Sequence, residues 1–169
     1  MLVYALLFLA ILNNLHGQES VQLISVTLVL LAMLISFYAL YQFVTGSKMV
    51  WNVLNTAYPH RATGTYICPN HLGGFLEMIL PLGLAYILAS RFSATLKIIL
   101  AYSSVVILGG IAVTVSRGSW ISTVVSLLAF FGLLAFQRAH RLPALAMLIL
   151  FIAGGAWVAF ETPLLQMRL

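Results

Sequence analysis

The chain has 169 residues, of which 63% are hydrophobic and 7% charged, with a mean hydropathy of +1.10. A soluble domain carries about a quarter charged residues, so the composition excludes one and marks an all-α integral membrane protein. The net charge of +5 comes from basic residues scattered singly at the ends of apolar runs, which excludes a nucleic-acid footprint.

Residues 1–12 are apolar but would make a helix only about 18 Å long, short of the roughly 30 Å hydrocarbon core. They lack a basic n-region and a small-residue cleavage site, so they read as the last part of a span and not as a signal peptide. A polar connection, 13–20, carries Glu19. Residues 21–45 are long enough to cross, and Gly46-Ser-Lys48 ends them. The main loop, 48–69, holds Trp51, Tyr58 and Tyr66, residue types that favour the membrane–water interface. Residues 71–90 form the next predicted helix, with Gly73, Glu77 and Pro81 on one stripe; the glycine allows a close neighbour and the proline a kink. A basic turn carrying Arg91 leads to a span over 96–115, with Gly109-Gly110 as a close-packing point. Ser116-Arg-Gly-Ser119 is expected to be a tight turn, 120–136 to return, and 143–160 to be the sixth element after a turn with Arg138 and Arg141. The expected fold is one domain, 1–169, a bundle of about five full transmembrane helices plus one short N-terminal partial helix.

The longest polar and turn-forming stretch between apolar runs is 61–75, with Arg61, three glycines and a Pro-Asn pair, flanked by His60. Pro69 fixes its own φ and keeps Cys68 extended, and Asn70 is a good N-cap for a helix beginning at His71. A helix N-terminus with Arg61 beside it suits an anion, above all a phosphate at a membrane surface. A polar loop closing on a capped helix is also what any two membrane helices need. Arg117 sits in a short turn between serines and a glycine, on the same predicted side as Arg61. Two such guanidiniums could hold a diphosphate, which lysine does poorly; ordinary snorkelling to lipid headgroups is the competing reading. Glu77, a carboxylate within a span, is a functional candidate or a hydrogen-bonded structural group. His71, in a first helical turn, is expected to be neutral. Cys68, the single cysteine, excludes an internal disulfide. His16, His60, His71 and His140 have no metal-ligand spacing, so no metal and no cofactor is expected.

Arg61-Ala-Thr-Gly-Thr-Tyr66, then Pro69-Asn-His-Leu-Gly-Gly-Phe-Leu-Glu-Met-Ile-Leu-Pro81, then Thr114-Val-Ser-Arg-Gly-Ser-Trp120 resembles the O-antigen ligase/polymerase family, in that family's order and spacing. These are multi-pass enzymes of the bacterial inner membrane. They move a glycan from an undecaprenyl-diphosphate carrier to an acceptor on the outer side: lipid A core, a growing polysaccharide or a protein hydroxyl. The resemblance covers roughly Arg61 to the C-terminus. It implies that Arg61 and Arg117 bind the diphosphate leaving group, with Thr65, Tyr66, Asn70, His71 and Ser116 as polar support. Their contribution would be electrostatic stabilisation of the charge that develops there. The family's important histidine lies in a large outer loop further along those proteins' own chains, so His71 does not take that role, and no residue here is assigned as general base. The chain reads as a piece of a longer enzyme, not expected to be active alone.

Alternation of the spans puts 13–20, 91–96 and 137–142 on one side and 46–70, 116–119 and the tail on the other. Lys and Arg divide four and four between them, with Lys97 counted in the second turn, so the positive-inside rule does not decide. The basic residues of the short turns are assigned to the cytoplasm, and the motif side, which carries Trp51, Trp120 and Trp157, to the outside. A membrane transporter or channel subunit is the alternative function, since Gly/Pro-broken helices and an intramembrane acid suit one as well. An inactive truncated membrane fragment, or a non-enzymatic scaffold, is the other.

Overall fold

A computed structural model describes residues 17–58 and 60–136, together with 3, 5, 6, 8, 9, 13 and 149. The expected sixth helix at 143–160, the turn before it and the tail lie outside the described residues, as does most of the expected partial span at 1–12. Among the described residues four helices are long and apolar enough to cross a membrane: α1 (Gln18–Thr45), α2 (Pro69–Ala89), α3 (Ala94–Val113) and α4 (Arg117–Phe136). The chain is a helical, multi-pass membrane protein. It divides into two compact units, Met1–Ser119 and Trp120–Leu169.

In the first unit α1 and α3 run parallel and pack directly on each other, since Met33 meets Ser103 and Leu40 meets Gly109, while α2 runs antiparallel to α3, its Gly83 meeting Ser104 and Val29 and its Leu76 meeting Gly110. Small residues make this possible. A Cβ on Gly110 would lie 2.7 Å from the Cβ of Ser36, and one on Gly83 would lie 3.0 Å from the Oγ of Ser104. Helices in lipid gain little from apolar burial against each other, so such close backbone approach is what holds them together. The Gly110 half of the expected Gly109-Gly110 packing point is therefore the tighter one. Val29, Leu72, Leu76, Leu80, Leu100 and Ile107 fill the buried spaces between the glycines. The hydroxyls of Thr27, Ser103, Ser104 and Thr45 return to the carbonyl four residues back, as groups without water must.

Helix boundaries differ from the expected ones for local reasons. α1 starts at Gln18, so the end of the expected polar connection is already helical, and it closes on Gly46 with φ 68°. α2 starts at Pro69, not His71: proline is well placed at the first helical position, where its missing N–H is not needed. Asn70 is therefore inside the helix and is not its cap. α3 begins after Ser93, whose side chain accepts from the Leu96 amide. The expected tight turn at 116–119 is also shifted. Ser116 caps α4 by accepting from the Ser119 amide, so Arg117, Gly118 and Ser119 are helical and the turn is Thr114–Val115. The main loop contains a two-stranded hairpin that its composition did not announce, β1 (Met49–Val50) with β2 (Val53–Leu54), in register Met49 to Leu54 and Val50 to Val53.

In the second unit, α4 continues from Trp120, with Thr123, Leu127, Phe131 and Leu134 buried on one face and Ile121, Val125, Leu128 and Leu133 exposed.

Candidate functional site

The two motif stretches meet in the first unit, where the end of α3 and the start of α4 lie beside the start of α2. The Arg61 Nε donates to the Thr114 carbonyl at 2.9 Å, and the next amide, Ala62, donates to the Val113 carbonyl at 3.0 Å. Arg61 also donates from its terminal nitrogen to Asn70 Oδ1 at 2.9 Å, and its guanidinium lies 5.7 Å from the Tyr58 ring centroid. These two hydrogen bonds use two of the five donors a guanidinium carries. The same end is closed by Gly73, where an added Cβ would fall within 2.6 Å of the Ser119 Cβ and closer still to its Oγ.

Backbone strain flanks this contact on both sides. Val115, next to Thr114, has φ 48°, and His60, next to Arg61, has φ 65°. A left-handed conformation is disfavoured for a β-branched residue, at a cost of about 1–3 kcal/mol, and persists only where surroundings over-determine it. Here they do. The Thr114 and Val115 amides bond to Ile111 and Ala112, the Thr114 hydroxyl bonds to Ile111, and Arg61 and Ala62 hold the adjoining carbonyls.

Gln42, which the sequence reading passed over, fixes the loop from below. It is buried in α1, and all its main bonding capacity is used. Its Nε2 donates to the carbonyls of Met49 (2.8 Å) and Gly64 (3.1 Å), and its Oε1 accepts from the amides of Thr63 (3.2 Å) and Gly64 (2.8 Å). Gly64 has φ 57° and packs so closely that a Cβ would meet Leu72 and Ile35 at 3.2–3.3 Å. The available signal was an amide near the end of an apolar span, a group that must find partners there.

The remaining expected residues divide. Asn70 touches Arg61. Arg117 is the exposed first residue of α4, three residues from the carbonyl that Arg61 grips. Ser116 is buried and occupied by its cap and by the Ser119 hydroxyl at 3.1 Å. Tyr66 packs its ring on Phe75, with centroids 6.0 Å apart, and so supports α2. Thr65 is half-buried in the turn after Gly64, His71 is exposed on the first turn of α2, and Glu77 is half-buried further along that helix. The structure thus joins Arg61, Asn70 and the start of α4, and gives Tyr66 and Ser116 packing and capping work.

Cys68 immediately precedes α2. Burial alone pushes its thiol up, but the Tyr58 hydroxyl beside the sulfur, the Asn70 and His71 backbone N–H groups and the Arg61 charge together hold it below the usual thiol range. The same contact to Cys68 pushes the Tyr58 phenol up.

No family model, no curated protein and no solved structure matches the chain.

Proposed function

We propose that this chain is part of a membrane glycosyltransferase of the O-antigen ligase/polymerase type, and that it holds the diphosphate of an undecaprenyl-linked glycan donor. The observation that supports this reading is the Arg61–Thr114 contact. It joins two arginine-bearing stretches, separated in sequence by two spans, at one end of a helical unit. Arg61 keeps three N–H donors beyond its two hydrogen bonds, and Arg117 is exposed three residues after the carbonyl that Arg61 grips.

In the proposed reaction an acceptor hydroxyl oxygen bonds to the anomeric carbon while the bond from that carbon to the diphosphate breaks. Its proton passes to a general base, which the family resemblance assigns to a large outer loop. Arg61 and Arg117 stabilise the charge that builds on the leaving diphosphate. Asn70 orients Arg61, and Thr65, Tyr66, His71 and Ser116 support the site at its edge. Glu77 has a structural part. The acceptor is lipid A core, a growing polysaccharide or a protein. The full bundle has about five spans and a short N-terminal partial helix, sits in the bacterial inner membrane, and turns its motif loops to the outer side.

The test is the intact protein in proteoliposomes, supplied with a fluorescent glycan on undecaprenyl diphosphate. Transfer to an acceptor with matching release of undecaprenyl diphosphate is the expected result. Ion-coupled solute uptake without transfer would replace the proposal with a transporter subunit, and neither activity would leave an inert membrane piece.

A further inference from the structure

We infer that the β1–β2 hairpin is a lipid-interface anchor, whose Trp51, Val53 and Leu54, with neighbouring Ile67, enter the boundary between headgroups and acyl chains. The inference holds whatever reaction the protein performs.

Four large apolar side chains in this small area face outward: Trp51 is 72% exposed, Val53 68%, Leu54 62% and Ile67 75%. Asn55 ties the foot of the hairpin to Ile67, its side chain donating to the Ile67 carbonyl at 2.8 Å and its amide closing the hairpin on Lys48 at 2.8 Å, while Trp51 is at the turn end and Val53 and Leu54 are on the two faces of β2. A two-stranded hairpin of this size is marginal by itself in water. This one is held to α1 by the Met49 carbonyl, which accepts from both Tyr38 (2.9 Å) and Gln42 (2.8 Å), and its Val50 is buried.

Those two bonds set its depth. Tyr38 lies seven residues before Thr45, the last residue of α1, roughly 10 Å back along the helix axis. The hairpin therefore folds back beside the last two turns of a membrane span and does not stand away from it. That is the level of the interface, and the same helix end exposes Phe37, Tyr41 and Val44. Trp51 supplies a second, independent observation. It has φ 53°, a conformation that a bulky residue adopts only under constraint, and the positive φ at the first loop residue is what the mirror-image hairpin turns require. The turn thereby thrusts an indole outward, a side chain whose apolar body and polar N–H match the headgroup level. Lys48, exposed at the base of the hairpin, suits the lipid phosphates.

Trp51 is made the only tryptophan of the intact protein by replacing Trp120, Trp157 and any tryptophan outside these 169 residues with Phe, and the protein is reconstituted in phosphatidylcholine–phosphatidylglycerol vesicles. Its fluorescence should be quenched more by phospholipids brominated near the headgroup than by those brominated near the chain end. Iodide quenching should be several-fold weaker than for free indole, and Val53→Asp/Leu54→Asp should restore it while lowering bromolipid quenching. Strong iodide quenching with no bromolipid quenching would show a loop in water and overturn the inference. Quenching by neither would show that protein covers the patch, and also overturn it. Should that background not fold, Leu54→Cys in Cys68→Ser, carrying an environment-sensitive fluorophore, asks the same question: lipid-dependent blue emission supports the anchor and water-like emission overturns it.

Discussion

Arg61 and Thr114 are 53 residues apart in sequence and joined by a 2.9 Å hydrogen bond from a guanidinium Nε to a main-chain carbonyl. The bond makes the arginine part of the scaffold as well as a charge. It stitches the loop that precedes α2 to the turn that starts α4, and both partners neighbour a residue with positive φ, His60 and Val115. A guanidinium fixed in this way has lost much of its rotamer freedom before any anion arrives, so less entropy is lost when one binds.

Gln42 should control how firmly that loop is seated. Gln42→Leu removes two donors and one doubly used acceptor, leaving the Thr63 and Gly64 amides without their partner. We predict that hydrogen exchange at these two amides quickens roughly a hundredfold, about 2.8 kcal/mol at 1.4 kcal/mol per tenfold. Gln42→Glu keeps the acceptor and loses both donors, so its effect should fall between wild type and Leu. Unchanged exchange in the Leu variant would show that the loop is held by other means.

Gly73 should be intolerant of any side chain. Gly73→Ala drives a Cβ to 2.6 Å from the Ser119 Cβ, and overpacking of this kind costs about 1–3 kcal/mol. Removing the opposing atoms with Ser119→Gly should recover most of the loss in thermal unfolding of the Ala variant, although Ser119→Gly alone destabilises by losing the hydroxyl bond to Ser116 Oγ and by placing a glycine in the first turn of α4. Absence of recovery in the double variant would mean that the two helices do not meet at this point.

Cys68 should ionise below an ordinary cysteine, so alkylation by a thiol reagent should reach half its maximal rate at a lower pH than for a free thiol. Tyr58→Phe removes the hydroxyl beside the sulfur, and Arg61→Gln removes the nearby charge; each should move the midpoint upward. A folded pKa below the unfolded one stabilises the fold fully above the unfolded value, and that contribution is lost as pH falls through the folded one. The same reaction reads topology. An impermeant reagent should reach Cys68 from outside intact cells, and a cysteine at Gln137 only after the cytoplasm is opened.

Much of the fold was legible from the lengths of apolar runs, since lipid leaves the backbone little choice but helix over such stretches. The helix ends were legible only in part, because capping is settled by competing neighbours. Asn70 has the chemistry of a cap, but Pro69 is better suited to the first helical position, and Asn70 is then used by Arg61. Ser116, expected to be turn and support, is a cap that makes Arg117 helical. The hairpin and the part played by Gln42 were not legible. Both rest on partners up to 22 residues away, and a two-residue strand leaves no periodicity to read. Proximity of the two motif stretches could be expected from alternation of the spans, but not the Arg61–Thr114 bond that fixes it.

A diphosphate site at Arg61 and Arg117 can be read directly from binding of undecaprenyl diphosphate to the intact protein in nanodiscs, with undecaprenol as the phosphate-free reference. Wild type should prefer the diphosphate. Arg117→Lys and Arg61→Lys should each weaken that binding by about tenfold or more, close to 1.4 kcal/mol, because a point charge lacks the bidentate fork. Undecaprenol binding should stay the same in all three proteins. Equal affinity of wild type for the two lipids, or wild-type diphosphate binding by both lysine variants, would contradict such a site.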